Sequence, residues 1–208
     1  MVGTAHAPTS TSHLHLERRA FLDLLQMANT LAGPRELARQ LVVLAQHLSG
    51  CEAVAIRLKS GPGYPYAAHL GFRDRFISLE SDLCATDGAG HLKRDADRKP
   101  ILACLCGKVL SCQLDRSRRF ATDRGSFISS STSELLTSPE AACLGETRDR
   151  CCADGYETVG LFPIRRDDVT YGLIQCNDSR PGRLTAEGID LMEHLAASAA
   201  HLLQLTMA

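Results

Sequence analysis

Apolar residues recur at helical spacing from Leu16 to Leu31, through Ala20, Leu22, Leu24, Leu25 and Met27, and predict a first helix. Gly33 and Pro34 interrupt it. The next phrase, PRELARQLVVLAQHLSG, opens on proline, whose fixed φ and missing N–H suit a first helical turn. It closes on Gly50, a residue that ends helices readily, so a second helix is expected here. The period then shortens to two. In CEAVAIRLK, Val54, Ile56 and Leu58 alternate with Ala53, Ala55 and Arg57, and beyond the turn SGPG the run YPYAAHLG reads as a hairpin partner. Pro65, which cannot donate to a ladder, favours a sheet edge for that partner.

Residues 74 to 99 are mostly polar, with room for a short helix near Arg75 to Leu79, and read as a long excursion over the sheet. The run ILACLCGKVLSC, 101 to 112, is too short for periodicity to separate helix from strand. GSFISSSTSELL suggests a strand passing into a capped helix start, with Ser131 and Glu134 spaced as a capping box, and SPEAACLGETRDR a helix. The strongest pattern is YETVGLFPIRRDDVTYGLIQCND, two β-rich runs around the polar turn RRDD, which predicts a central hairpin. A last amphipathic helix follows Thr185 as N-cap and carries Ile189, Met192, Leu195, Ala199 and Leu202. The pattern therefore predicts an α+β fold, with one domain over 16–208 behind a disordered tail over 1–15.

Composition narrows the function classes. Of 208 residues, 44% are hydrophobic and 23% charged, the mix of a globular chain, and 23 basic against 24 acidic residues give a net charge of -1. No basic surplus marks a nucleic-acid or anionic-membrane partner. The start lacks the pattern of a secretory signal and no apolar run reaches spanning length, so a cytoplasmic location is expected. Nine cysteines, an odd number at irregular spacing, then point to metal, redox chemistry or plain burial rather than a disulfide framework. His69, His91, His194 and His201 show no metal spacing, and no glycine-rich phosphate loop is present. The hydroxyl cluster Ser126, Ser129, Ser130, Ser131 and Thr132 fits turn and cap chemistry better than a ligand.

The order helices, hairpin, excursion, hairpin, helix, with VGLFPIRRDDVTYGLIQCND feeding RPGRLTAEGIDLMEHLAASAAHLLQ, resembles a GAF domain over about Arg35 to Leu205. The resemblance implies an antiparallel sheet with the N- and C-terminal helices on one face and a ligand pocket under long loops and helices on the other. The strings GYPYAAHLGF, LCATD, ACLCGKVLS, GSFISSSTSELL and RDRCCADGYETVGLFPIR are further similar to a cysteine-bearing subgroup attached to bacterial and archaeal signalling kinases and regulators. Its typical phrases are GYPY, LC, CMCG, GSFWTNSTTELL and RCNxEGYES. Matched residue by residue, the subgroup's cysteines fall on Cys84, Cys104, Cys106 and Cys151. This chain departs from the pattern at Ile128 and Ser129, has Cys112 where a small residue is usual, and places Cys152 beside Cys151, which leaves the ligand count between four and six.

Four thiolates suit tetrahedral zinc or an iron–sulfur cluster. Single ligands at Cys84 and Cys151 do not form the paired knuckles of structural zinc sites, and a sensory fold has use for a redox-active group. An iron–sulfur cluster, [4Fe-4S], is therefore expected ahead of zinc, on Cys84, Cys104, Cys106 and Cys151, with Cys112 and Cys152 as possible extra ligands. Buried cysteine is common in apolar runs, and Cys51, Cys143 and Cys176 read as packing residues. The expected function is a non-catalytic redox, gas or small-ligand sensor that signals through its terminal helices. Its expected partner is a signalling protein such as a histidine kinase or transcription regulator, and a homodimer is expected through 16–31 and 186–205. The alternatives are a thiol-dependent reductase of free methionine sulfoxide and a metal-free small-molecule module.

Overall fold

The computed structural model describes Leu22, Gln26 and residues 33–207; the expected tail and first helix lie outside the described residues, apart from Leu22 and Gln26, both helical. Helix α1 (Pro34–Ser49) has its proline in the first turn and Gly50 in the left-handed conformation at its end, φ 60°, with Gly50 N bonded to Gln46 O at 2.9 Å. Strands β1 (Ala53–Leu58) and β2 (Tyr66–Leu70) form the first hairpin, and α2 (Asp74–Glu80) follows. Then come α3 (Cys104–Leu110), β3 (Phe127–Ser129), α4 (Thr132–Thr137), α5 (Ala141–Leu144) and α6 (Arg150–Ala153). The long hairpin β4 (Thr158–Arg166) and β5 (Val169–Asp178) leads to α7 (Ala186–Met207). Thr185 caps α7 as expected, its Oγ1 accepting from Gly188 N at 3.1 Å.

The five strands form one sheet in the order β2-β1-β5-β4-β3, every neighbouring pair antiparallel. β2 lies at an edge, where Pro65 just before it costs no ladder bond. Both faces are covered, which is why all six residues of β1 are buried. Val54, Ile56, Phe162, Ile164, Ile174 and Cys176 face α1 and α7, sharing a core with Leu41, Met192 and Leu195. Ala53, Ala55, Leu161 and Leu173 face the other way, into a second core with Phe76, Cys106, Val109 and Phe127. The expected GAF-like arrangement, terminal helices on one face and loops with short helices on the other, is what the chain adopts.

One open assignment is resolved and one expectation needs correction. The ambiguous run 101–112 is a helix only from Cys104, while Leu102 makes a bridge to Cys84. The helix expected over 138–150 is reduced to Ala141–Leu144, because Gly145 turns to φ 63° and breaks the repeat. The excursion ahead of it is not structureless either: Thr86 bridges Leu92 and Arg94 bridges Pro100, folding 84–102 into small ladders. Among the described residues no helix is long and apolar enough to cross a membrane.

Candidate functional site

α3 is placed by backbone pairing on its N-terminal side. Ala103 N donates to Leu83 O at 2.7 Å and Ala85 N to Ile101 O at 2.8 Å, so the helix starts from a fixed strand-like anchor. Cys104 opens it with φ 65°, a left-handed backbone that a non-glycine residue adopts only under constraint. One turn on, Gly107 lets the helix approach Leu102; a Cβ there would lie 2.5 Å from Leu102 O. Cys106 is thereby turned into the second core at 6% exposure, and Cys104 is half-buried.

α6 brings the third thiol. Asp149, φ 49°, enters the short helix, and Tyr156 N bonds back to Cys151 O at 3.0 Å, closing the turn that returns the chain to β4. Cys104, Cys106, Cys151 and Cys152 line one apolar cleft together with Leu105, Phe127, Leu135, Leu144 and Val159. The cleft is partly open to solvent and its cavity volume is about 40 Å³.

Polar groups meet this cleft from the sheet. Gln175, fully buried on β5, points its Nε2 at Cys151 Sγ, 3.9 Å away, and at Asn177 Oδ1, 3.1 Å away. Tyr66 donates its hydroxyl to Gln175 Oε1 at 3.0 Å, which fixes the amide with its nitrogen toward the sulfur. Asn177 also acts on Cys151 in the direction that favours thiolate, and its Nδ2 has no other partner among the described residues. Behind them Arg57, with no exposed surface, stacks 3.6 Å over the Tyr66 ring and donates to Tyr64 O at 3.0 Å, Ser81 O at 3.1 Å and Glu80 O. Its Nε has no hydrogen-bond partner among the described residues.

Burial dominates the thiol electrostatics. It pushes Cys106 up to about 12, against the pull of the Arg57 charge, with Cys104 and Glu80 adding to the rise. Cys151 is driven well above the ordinary thiol value by burial first and by Cys106 next. Three thiols thus feel one another. Negative charge at this spot is costly unless something positive arrives with it.

Of the other expected ligands, Cys152 lines the same cleft, whereas Cys84 has its Sγ 3.7 Å from Pro62 O, against the β1–β2 turn. Cys112 is exposed at the end of α3, beside a separate open cleft lined by Tyr64 and Lys99. Among the described residues no three His, Cys, Asp or Glu side chains stand close enough to hold a metal ion as they are. Sequence reasoning missed Arg57, Tyr66, Gln175 and Asn177. The available signal was polar residues at inward positions of otherwise apolar strands, AVAIRL and GLIQCND.

A single antiparallel sheet with terminal helices on one face and a thiol-lined cleft on the other defines the class as α+β, with a candidate site on the face away from those helices. The chain belongs to the GAF domain family, which matches residues 33–203. It is similar in fold to the GAF domain of an Acinetobacter phosphoenolpyruvate-protein phosphotransferase, with 14% identity, 96% of each chain covered and a TM-score of 0.59. A domain of a protein named as a two-component sensor histidine kinase from Sinorhizobium meliloti gives 14% identity, 83% and 92% coverage and 0.53. The type II free methionine-R-sulfoxide reductase of Thermoplasma acidophilum gives 13%, 83% and 96%, and 0.50. No curated protein matches the chain.

Proposed function

We propose that the chain is the sensory module of a signalling system, and that its cleft holds a thiolate-ligated group on Cys104, Cys106 and Cys151, an iron–sulfur cluster ahead of zinc. One observation carries the reading: three thiols from two separate helices meet at one small apolar cleft where an amide N–H is aimed at sulfur. The donor set suits a soft cation. Gln175 and Asn177 offer the hydrogen bonds that tune metal-bound sulfur, and Arg57 supplies a buried positive charge that offsets the extra negative charge of three thiolates. Cys152 on the same cleft, or Cys84 on the neighbouring ladder, provides a fourth ligand. A bound cluster would supply one-electron redox chemistry; the protein's part is to bind it, desolvate it and hydrogen-bond its sulfurs.

A cavity volume of about 40 Å³ favours an ion or a compact group over a nucleotide, whose pockets run to several hundred Å³. A thiol-dependent methionine sulfoxide reductase needs a low-pKa nucleophile, and burial drives Cys106 and Cys151 the other way, so that reading is less well supported. The output passes through α1 and α7 to a kinase or regulator, with the module acting as a homodimer. Protein purified without oxygen is expected to contain iron and acid-labile sulfide, with a visible charge-transfer band. Cys104→Ala, Cys106→Ala and Cys151→Ala should each lose most of both. Wild-type protein with neither iron nor zinc and no band refutes the proposal.

A further inference from the structure

β3 pairs only with Val159 to Leu161 of β4, so from Phe162 to Arg166 that strand has β5 as its one strand neighbour. Against this edge, between α7 and the segment 116–126, lies a cavity of about 260 Å³ that shares no lining residue with the thiol cleft. Arg116, Arg124 and Arg165 line it, against two carboxylates, Glu193 and Asp167. Both carboxylates are already engaged. Glu193 accepts from Thr122 Oγ1 at 2.5 Å and from Ser126 Oγ at 2.7 Å and stands 3.6 Å from Arg124 Nε, while Asp167 lies 3.9 Å from Arg166 Nε. Arg116 and Arg165 have neutral partners instead. Arg116 Nη1 donates to Asp123 O at 3.0 Å; Arg165 donates through Nε to Thr170 Oγ1 at 3.0 Å and through Nη2 to Val109 O at 2.8 Å. Among the described residues neither forms an ion pair, so two uncompensated guanidiniums meet one cavity.

We propose that this cavity binds a phosphate group, either inorganic phosphate or the headgroup of a small phosphomonoester. Like charges on one cavity repel, and a dianion relieves that repulsion while a neutral ligand does not. The guanidinium fork presents paired N–H donors that match phosphate oxygens, so charge and geometry favour the same ligand. Arg124 can join them, because its 3.6 Å approach to Glu193 is an ion pair without a hydrogen bond, and the two hydroxyls keep Glu193 satisfied. Pro163, Ala196 and Ala197 add a short apolar wall on which the carbons of an ester can lie. At about 260 Å³ the space suits a few carbons and falls short of a nucleotide. A phosphate held by Arg116 and Arg165 would tie the segment 116–126 to β4, beside the α7 residue Glu193 to which Thr122 and Ser126 already fasten that segment.

Titration calorimetry of the intact chain at low salt, with inorganic phosphate, glycerol 3-phosphate and acetate as probes, tests the proposal. Phosphate should bind saturably, more tightly than acetate, and more weakly as sodium chloride is raised. Glycerol 3-phosphate binding more tightly than phosphate assigns the site to an ester; binding more weakly assigns it to the free ion. Arg116→Gln and Arg165→Gln should each weaken phosphate by about tenfold. Because both arginines also hold backbone carbonyls, a second pair of variants leaves them untouched. Ala197 is exposed on α7 and lines the cavity, so Ala197→Glu brings a carboxylate to the guanidiniums without disturbing the fold and should also cost about tenfold. Ala197→Gln, of equal size without the charge, should stay within about twofold of wild type. The proposal is overturned if phosphate binds no more tightly than acetate, if Ala197→Glu binds phosphate as wild type does, or if Ala197→Gln loses as much as Ala197→Glu. None of these readouts depends on a metal in the thiol cleft.

Discussion

Arg57 and Cys106 set the energetic character of the cleft. A guanidinium with no exposed surface is tolerable because three backbone carbonyls and the Tyr66 ring replace its water; among the described residues no carboxylate forms an ion pair with it. Cys106, close enough to feel that charge, is nonetheless pushed up to about 12 by burial, and Tyr156 behind it is likewise raised from 10.0 to about 12. In the unfolded chain the thiol ionises at its ordinary 9.0, so below that pH both states keep the proton and the stability is fully present. Above it the unfolded state loses the proton first, and stability falls as pH rises until the folded thiol ionises too. The fall should be about 1 kcal/mol per pH unit for each such thiol. Urea midpoints of metal-free protein should decline from about pH 8 to about pH 10. In Cys106→Ala the decline should be shallower; an equal slope would mean that Cys106 is not held neutral by burial.

At the scale of elements, α3 shows why its sequence reads ACLCG. The helix must start abruptly behind a bridged strand, place Cys104 and Cys106 toward α6, and still lie against Leu102, which only a residue without a side chain permits at 107. Gly107→Ala gains helix propensity but sets a methyl against the Leu102 backbone, which cannot swing aside as a side chain would. The net loss should be about 2 kcal/mol by urea unfolding, with faster alkylation of Cys106 as α3 lifts. Unchanged stability would show that α3 is not held by this contact. α4 is built differently: Ser131 caps it by accepting from Glu134 N at 3.2 Å, as the spacing suggests, but the carboxylate that meets the capping serine is Glu157, on the far side of the chain. Periodicity revealed α1, β1, β4, β5 and α7, because each is long or strictly patterned. It left 101–112 open and overextended the helix at 138–150, because bridges and a single glycine conformation decide the outcome there. The convergence of Cys104, Cys106 and Cys151 was legible only through family resemblance, and the sheet-borne partners Gln175 and Asn177 emerge only once register puts them under Cys151.

Across the whole molecule, the thiol cleft and the terminal helices are separated by one layer of sheet, and β5 is its central strand. Gln175 and Asn177 face the cleft, while Ile174 and Cys176, between and beside them, face the core shared with α1 and α7. A strand packed on both faces has little free volume, so a displacement of its cleft-side amides moves its helix-side residues as well. A group bound at Cys151 would pull on Gln175 and Asn177 first, and through β5 on the packing of Met192, Leu195 and Ala199 in α7. Anaerobic, reduced protein titrated with cadmium ion, a soft cation for thiolates, provides the readout. Backbone hydrogen exchange should slow in α3 and α6, where the ligands lie, and should also change in β5 and along the cleft-opposed face of α7. Gln175→Leu keeps the bulk of the side chain but removes its amide, and should leave the α3 and α6 response in place while weakening the response in α7. An α7 response that is absent in wild-type protein, or that persists at full size in Gln175→Leu, would mean that β5 does not carry the state of the cleft to the helices.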